Sequence, residues 1–193
     1  MKLALTLSVI FFLSIASFAS TYHKATVVFA DGKSKTGLVE STLSSDYILF
    51  KISENAKEEK IESSTVKAVI LTIKNEPREF HFLKVYLGWG QKRISDPQWL
   101  RVVEKGIATL YIKTSVMSDH NGLNKAGFED YFCIRAGEPA AKMIANISSL
   151  NNNQTFRAKA PLYFADYPEL ATKIKSKEYT WRDLQVVAKE YNA

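Results

Sequence analysis

As far as residue 90, the hydrophobic residues fall in short runs separated by turn signals about every ten residues, the spacing of a β-rich section. Ala25-Thr26-Val27-Val28-Phe29 is a β-branched run, and Asp31-Gly32 is a strong turn signal. Thr36-Gly37-Leu38-Val39-Glu40 completes a predicted hairpin. Residues 47–52 predict a third strand, apolar enough for burial on both faces at its centre. Residues 54–60 are polar and charged and predict an exposed connection, followed by a short strand at Ile61 and another over residues 66–73. Pro77 breaks the run. Residues 79–87 then predict a strand with Phe80, Phe82, Lys84 and Tyr86 on one face and His81, Leu83, Val85 and Leu87 on the other. These strands together predict a small antiparallel barrel or a strongly twisted sheet.

The pattern then changes. Ser95 or Asp96 as a cap, Pro97 at the first helical position, apolar Trp99, Leu100, Val102 and Val103, and Gly106 as a stop predict a helix. Residues 107–112 and 131–135 predict strands on either side of a polar loop at 118–127. Gly137-Glu138-Pro139 predicts a turn, and residues 142–147 fit a strand or a short helix equally well. The tail is helical: residues 155–164, then a helix opened by Pro168 with Glu169 first and Lys173 last, as the helix dipole favours. A last helix is capped by Thr180 with Asp183, and Trp181, Leu184, Val187, Ala188 and Tyr191 line one of its faces. The fold class expected is α+β: an N-terminal antiparallel β-rich barrel or twisted sheet over residues 20–90, then a smaller sheet section with C-terminal helices over residues 91–193. Length allows these to be one continuous domain or two.

Residues 1–19 stand apart from this fold. Met1-Lys2 is a short positive start, an uncharged apolar stretch follows, and Ser17-Phe18-Ala19 places small residues where a signal peptidase reads them. Cleavage is expected between Ala19 and Ser20. A membrane anchor needs roughly 20 apolar residues. The uncharged stretch from Leu3 to Tyr22 has that length but contains six Ser or Thr residues, which favours the cleavable leader. Ser20, not Cys, follows the cleavage point, so lipid anchoring is disfavoured and no stable membrane anchor is expected after cleavage. The expected location is periplasmic or secreted.

The single Cys133 excludes an intramolecular disulfide, so an ordinary core must hold the exported chain. That combination suits a bacterial envelope, where the sequons at Asn146 and Asn153 carry no meaning. Loss of Lys2 lowers the formal charge from +6 to +5, and the excess is spread thinly, with no block that reads as a nucleic-acid tail. The helical tail lacks a basic recognition face, so no nucleic-acid partner is expected.

Candidate chemistry is sparse. His23, His81 and His120 lie far apart, with no metal-ligand spacing around them, so no metal site and no cofactor are expected. His81 reads as a packed or half-exposed sheet residue, and Asp119-His120 as part of a turn. Cys133, between Phe132 and Ile134, reads as a buried thiol. Gly88-Trp89-Gly90 holds an aromatic between two flexible residues, and Trp89 is the candidate ligand platform. No catalytic residue is assigned.

The run Tyr163-Phe164-Ala165-Asp166-Tyr167-Pro168-Glu169-Leu170, with Lys173-Ile174, Glu178-Tyr179, Asp183 and Tyr191-Asn192, resembles the ending of a group of small exported proteins from Bacteroidota-type bacteria. The Asp31-Gly32 turn, Gly37, residues 62–66 and residues 106–111 are similar to that group too. The resemblance implies an envelope or secreted location and carries no activity or catalytic residues. The expectation is a binding or structural component of the cell envelope, with an envelope or extracellular protein or glycan as partner. The alternative is a secreted hydrolase whose carboxylates are brought together by the fold.

Overall fold

The computed structural model describes residues 21–87, 92–118, 125–147 and 153–193. The expected leader with its Ala19–Ser20 junction, Trp89, and Asp119-His120 lie outside the described residues.

Strands β1 (Tyr22–Phe29) and β2 (Ser34–Glu40) form the expected hairpin, with Gly32 at φ 86° in the turn. β3 (Tyr47–Lys51) pairs with β2, and β4 (Glu59–Glu62) pairs with β3. A 3-10 turn at Ser63–Thr65 returns the chain to β5 (Val66–Ile73), which pairs with the free side of β1. Burial in β3 alternates: Ile48 and Phe50 are buried while Leu49 is half-buried, so the strand covers a core on one face rather than both. Gly37 is required where β2 crosses β3, since a Cβ there would lie 2.3 Å from the Lys51 carbonyl oxygen and 2.6 Å from the Phe50 ring.

β6 (Glu76–Leu83) pairs antiparallel with β5 through a two-residue turn, Lys74-Asn75, in which both residues have positive φ. Pro77 therefore does not break the run but sits in the strand. It lies where β6 has β5 on one side and no β9 partner on the other, the edge-like setting a proline tolerates. The expected strand to residue 87 ends at Leu83, where the chain leaves the sheet. The Ala141 amide donates to the Lys84 carbonyl and the Tyr86 amide to the Ala141 carbonyl, both at 2.9 Å. A small separate hairpin follows, β7 (Tyr86–Leu87) with β8 (Arg93–Ile94).

The helix expected after Pro97 is a strand, β9 (Gln98–Glu104). Apolar residues at 99, 100, 102 and 103 suit a helical stripe, but the segment is too short to hold a helix by propensity alone. As a strand it satisfies its backbone on both sides, against β6 and against β10 (Ala108–Ser118), and puts Trp99, Val102 and Val103 in the setting β-formers prefer. β11 (Lys125–Arg135) and β12 (Lys142–Ile147) complete the sheet, which settles residues 142–147 as strand. The order is β12-β11-β10-β9-β6-β5-β1-β2-β3-β4, antiparallel throughout. One open sheet thus continues from residues 20–90 into 91–193 through the β6–β9 pairing.

The N-terminal end of this sheet curls. Ile61 of β4 and Trp99 of β9 pack in one cluster with Val27, Val39, Phe50 and Leu71, although five strands separate β4 from β9. The Trp99 indole N–H donates to the Ser44 carbonyl at 2.8 Å, tying the β2–β3 loop over the sheet. At the other end, α1 (Gln154–Tyr163), α2 (Pro168–Lys175) and α3 (Leu184–Asn192) cover β9 to β12. Their apolar faces enclose Leu110, Cys133, Ile144, Phe156, Phe164 and Leu170. The expected cap is present: Thr180 and Asp183 form a reciprocal capping box at a 3-10 turn, Trp181–Asp183, ahead of α3. The fold is α+β.

Candidate functional site

Sheet register sorts the side chains of the central strands. Phe80 faces Arg101, Phe82 faces Trp99, Arg101 faces Ile112, and Ile112 faces Tyr131, so these share the face that carries the helices. The curl covers one end of that face and the helices the other. Between them a cleft of about 560 Å³ remains, walled by Arg78, Phe80, Trp99, Arg101 and Ile112, with Ser41, Leu43 and Ser45 of the β2–β3 loop opposite. Arg101 also walls a second cavity of about 350 Å³ against Tyr131, Trp181, Arg182 and Gln185. Trp181 is placed there by its backbone N–H, which donates to Asn153 Oδ1 at 3.1 Å, and the Arg182 guanidinium lies 4.8 Å from the Trp181 ring centroid.

The charge in this cleft has one sign. Among the described residues lining the two cavities are three guanidinium groups, at Arg78, Arg101 and Arg182, and no Asp or Glu. None of the three makes an ion pair among the described residues. Two carboxylates stand behind the lining and are engaged there. Glu129 accepts from the Tyr131 hydroxyl at 3.0 Å, and Glu104 accepts from the Gln185 amide at 3.1 Å. Burial and the Glu129 contact push the Tyr131 phenol up to about 12, so it stays a neutral donor.

The opposite face carries a cavity of about 630 Å³ between the β7–β8 hairpin and the sheet. Its lining balances Arg93 and Lys113 against Asp96 and Asp130. Lys113 donates to Gln98, and the Asn146 amide donates to Asp130 at 2.5 Å. Close by in register, His81 joins Glu79 through Nε2 at 2.7 Å and the Tyr111 hydroxyl through Nδ1 at 2.9 Å. Lys105 holds the other Glu79 oxygen at 2.6 Å. Burial raises the Glu79 carboxyl, but hydrogen bonds from Lys105 and His81 outweigh it and leave the group below the usual carboxylate range. Burial pushes the Tyr111 hydroxyl up to about 12. His81 is thus the half-buried sheet residue expected, with both ring nitrogens engaged.

Cys133 is fully buried and burial raises its thiol far above the ordinary range, so it is inert as a nucleophile. The described residues hold no group of three or more His, Cys, Asp or Glu suited to a metal ion. No helix among them is long and apolar enough to cross a membrane. Trp89, the sequence-based platform, lies outside the described residues. Sequence reasoning missed Arg78, Trp99, Arg101 and Arg182. The alternation of Trp99, Arg101 and Val103 was a usable signal, but it shows only when residues 98–104 are read as a strand.

Several tail residues hold the fold. Arg135 donates to Tyr191 Oη at 2.8 Å, to the Tyr163 carbonyl at 2.7 Å and to Asp166 at 2.9 Å, and its guanidinium stacks 4.1 Å from the Tyr163 ring. Asn192 closes the β9–β10 turn, accepting from the Ala108 amide at 2.9 Å and donating to the Ala108 carbonyl at 3.0 Å. A Cβ on Gly106 would lie 2.1 Å from that Asn192 side chain, so the two positions are coupled. No protein-family model, curated protein or solved structure matches the chain.

Proposed function

We propose that the chain is an exported envelope or extracellular protein that binds an anionic ligand in the cleft on the helix-bearing face of its sheet. The observation that carries this reading is the set of three guanidinium groups interleaved with Phe80, Trp99, Tyr131 and Trp181, without a lining carboxylate among the described residues. Arginines without ion-pair partners, half-buried at Arg78 and Arg101 and exposed at Arg182, keep their donors for a ligand, and Arg presents a planar fork that matches a carboxylate or sulfate. A cavity of a few hundred Å³ with aromatic walls and a few polar groups is the ordinary form of a binding site. The leader, ending Ser17-Phe18-Ala19, supports export.

The hydrolase alternative rests on Asp96 and Asp130, which line the opposite cavity. Asp130 is engaged by Asn146, and Arg93 and Lys113 line the same cavity, an arrangement closer to structural charge pairing than to an acid and base facing a substrate.

The test follows tryptophan fluorescence while the purified protein is titrated with small organic anions (aromatic carboxylates, acidic sugars, sulfate esters) and their neutral analogues. Anions are expected to shift the emission and Arg101→Met to abolish the response. Equal binding of the neutral analogues, or no binding by any anion, overturns the reading. N-terminal sequencing of the exported protein is expected to begin at Ser20, and retention of Met1 overturns the cleavage assignment.

A further inference from the structure

We infer that the ligand of this cleft is a linear acidic polysaccharide, a chain of sugar rings bearing carboxylate or sulfate groups; this rests on the anion-binding reading above. Two observations extend that reading from an anion to a chain. The cavities are adjacent, sharing Arg101 as a common wall. Each lining also holds one tryptophan and one arginine: Trp99 and Arg78, set apart along the β6–β9 register, in the first, and Trp181 with Arg182 in the second. A single small anion would use one lining and leave the other idle. A polymer with a regular repeat of apolar ring face and negative charge uses both, with Arg101 between them.

The remaining lining suits sugar better than a hydrocarbon acid. Ser41, Ser45, Thr114 and Gln185 put hydroxyl and amide groups along the rim, where they meet ring hydroxyls. Tryptophan and tyrosine supply an apolar face with a polar edge, the surface a pyranose ring stacks on. Single-stranded nucleic acid has a related alternation of flat ring and anion. The leader favours the polysaccharide, because an exported protein meets envelope and extracellular glycans.

The experiment is calorimetric titration of the full-length purified protein with four probes: a linear oligogalacturonate, monomeric galacturonate, a neutral maltooligosaccharide of equal length, and an oligothymidylate. The oligogalacturonate is expected to bind about tenfold or more tightly than the monomer, because the second contact is made intramolecularly. Its affinity should fall as salt rises, since the attraction is charge-based. Arg101→Met, Arg182→Met and Trp181→Ala should each weaken it about tenfold or more, the usual loss when a charged hydrogen bond or an aromatic anchor is removed. Arg101→Lys should retain part of the affinity, and Arg93→Met in the opposite cavity should change nothing. Arg182 is exposed, so its variant reports even if the Arg101 variants fold poorly, and thermal melts of each variant monitor that. Equal affinity for monomer and oligomer overturns the chain ligand and leaves the anion-binding reading standing. Tighter binding of the oligothymidylate overturns the polysaccharide in favour of nucleic acid. No binding by any anionic probe, or binding unmoved by Arg101→Met and Arg182→Met, overturns both this inference and the reading beneath it.

Discussion

Arg135 and Arg101 lie two strands apart on the same side of the sheet, and the chain treats them in opposite ways. Arg135 is closed in: Tyr191, the Tyr163 carbonyl, Asp166 and Glu138 take its donors, and the rings of Tyr163 and Tyr191 stack on its guanidinium. Arg101 sits in a cleft wall with aromatic neighbours and no ion pair among the described residues. The same chemical group is a cross-link in one setting and lines a cleft without an ion pair among the described residues in the other. What separates them is whether the surrounding elements satisfy the charge. Around Arg135, the turn after β11 and the ends of α1 and α3 converge with their acceptors. Around Arg101, the curled N-terminal strands and the C-terminal helices stop short of each other.

The largest expected effect tests that contrast directly. Arg135→Met should destabilise the fold by about 2–3 kcal/mol, because it leaves the Tyr191 hydroxyl, the Tyr163 carbonyl and the Asp166 and Glu138 carboxylates without the guanidinium they share. Arg101→Met should change stability by no more than about 0.5 kcal/mol while abolishing anion binding. Urea unfolding of the two variants beside wild type measures both. The contrast breaks if Arg101→Met costs as much stability as Arg135→Met.

This division explains what was legible in the sequence. The hairpin at Asp31-Gly32, the strand over residues 66–73 and the capped tail at Thr180 announce themselves by local signals and form as expected. Residues 98–104 do not, because apolar positions at 99, 100, 102 and 103 fit a helical period, and only the pairing of β9 with β6 and β10 decides for strand. The cleft was hidden for the same reason. Arg78, Arg101 and Arg182 come from three segments that share no motif, and they become neighbours only when register and the docking of α3 put them on one wall. The tail residues Tyr163, Asp166 and Tyr191 instead form a network with Arg135 that serves stability.

A second, smaller effect probes the closed region at its other contact. Gly106→Ala should destabilise by about 1–3 kcal/mol, since its Cβ meets the Asn192 side chain at 2.1 Å. Asn192→Ala should cost about 1–2 kcal/mol through loss of its hydrogen bonds to Ala108. The double variant should be more stable than the sum of these losses predicts, because alanine at 192 leaves room for the Cβ at 106. Additive losses in the double-mutant cycle would show that the turn and the tail are not coupled. Anion binding should be unchanged in all three variants, although Gly106 is only five positions from Arg101 in sequence.

The smallest expected effect separates the two regions by pH. Burial raises the Glu138 carboxyl, but hydrogen bonds from the Arg135 amide, Lys142 and Tyr163 outweigh it, so the folded group titrates below its ordinary value of 4.5. Lowering a carboxyl in the folded state adds stability that is present above the unfolded value and is lost as pH falls through the folded one. Wild-type stability should therefore decline as pH drops below about 4.5, and Glu138→Gln, less stable at neutral pH, should decline less steeply. Arginine as a residue type carries its charge throughout the acid range. Binding of a sulfate ester, whose own charge also persists in acid, should hold its affinity down to the pH at which the fold itself begins to fail. Stability curves from thermal melts between pH 2 and 7, run with and without the sulfate ester, compare the two. An affinity that falls well above the acid unfolding limb would mean that a carboxylate, not arginine alone, organises the cleft.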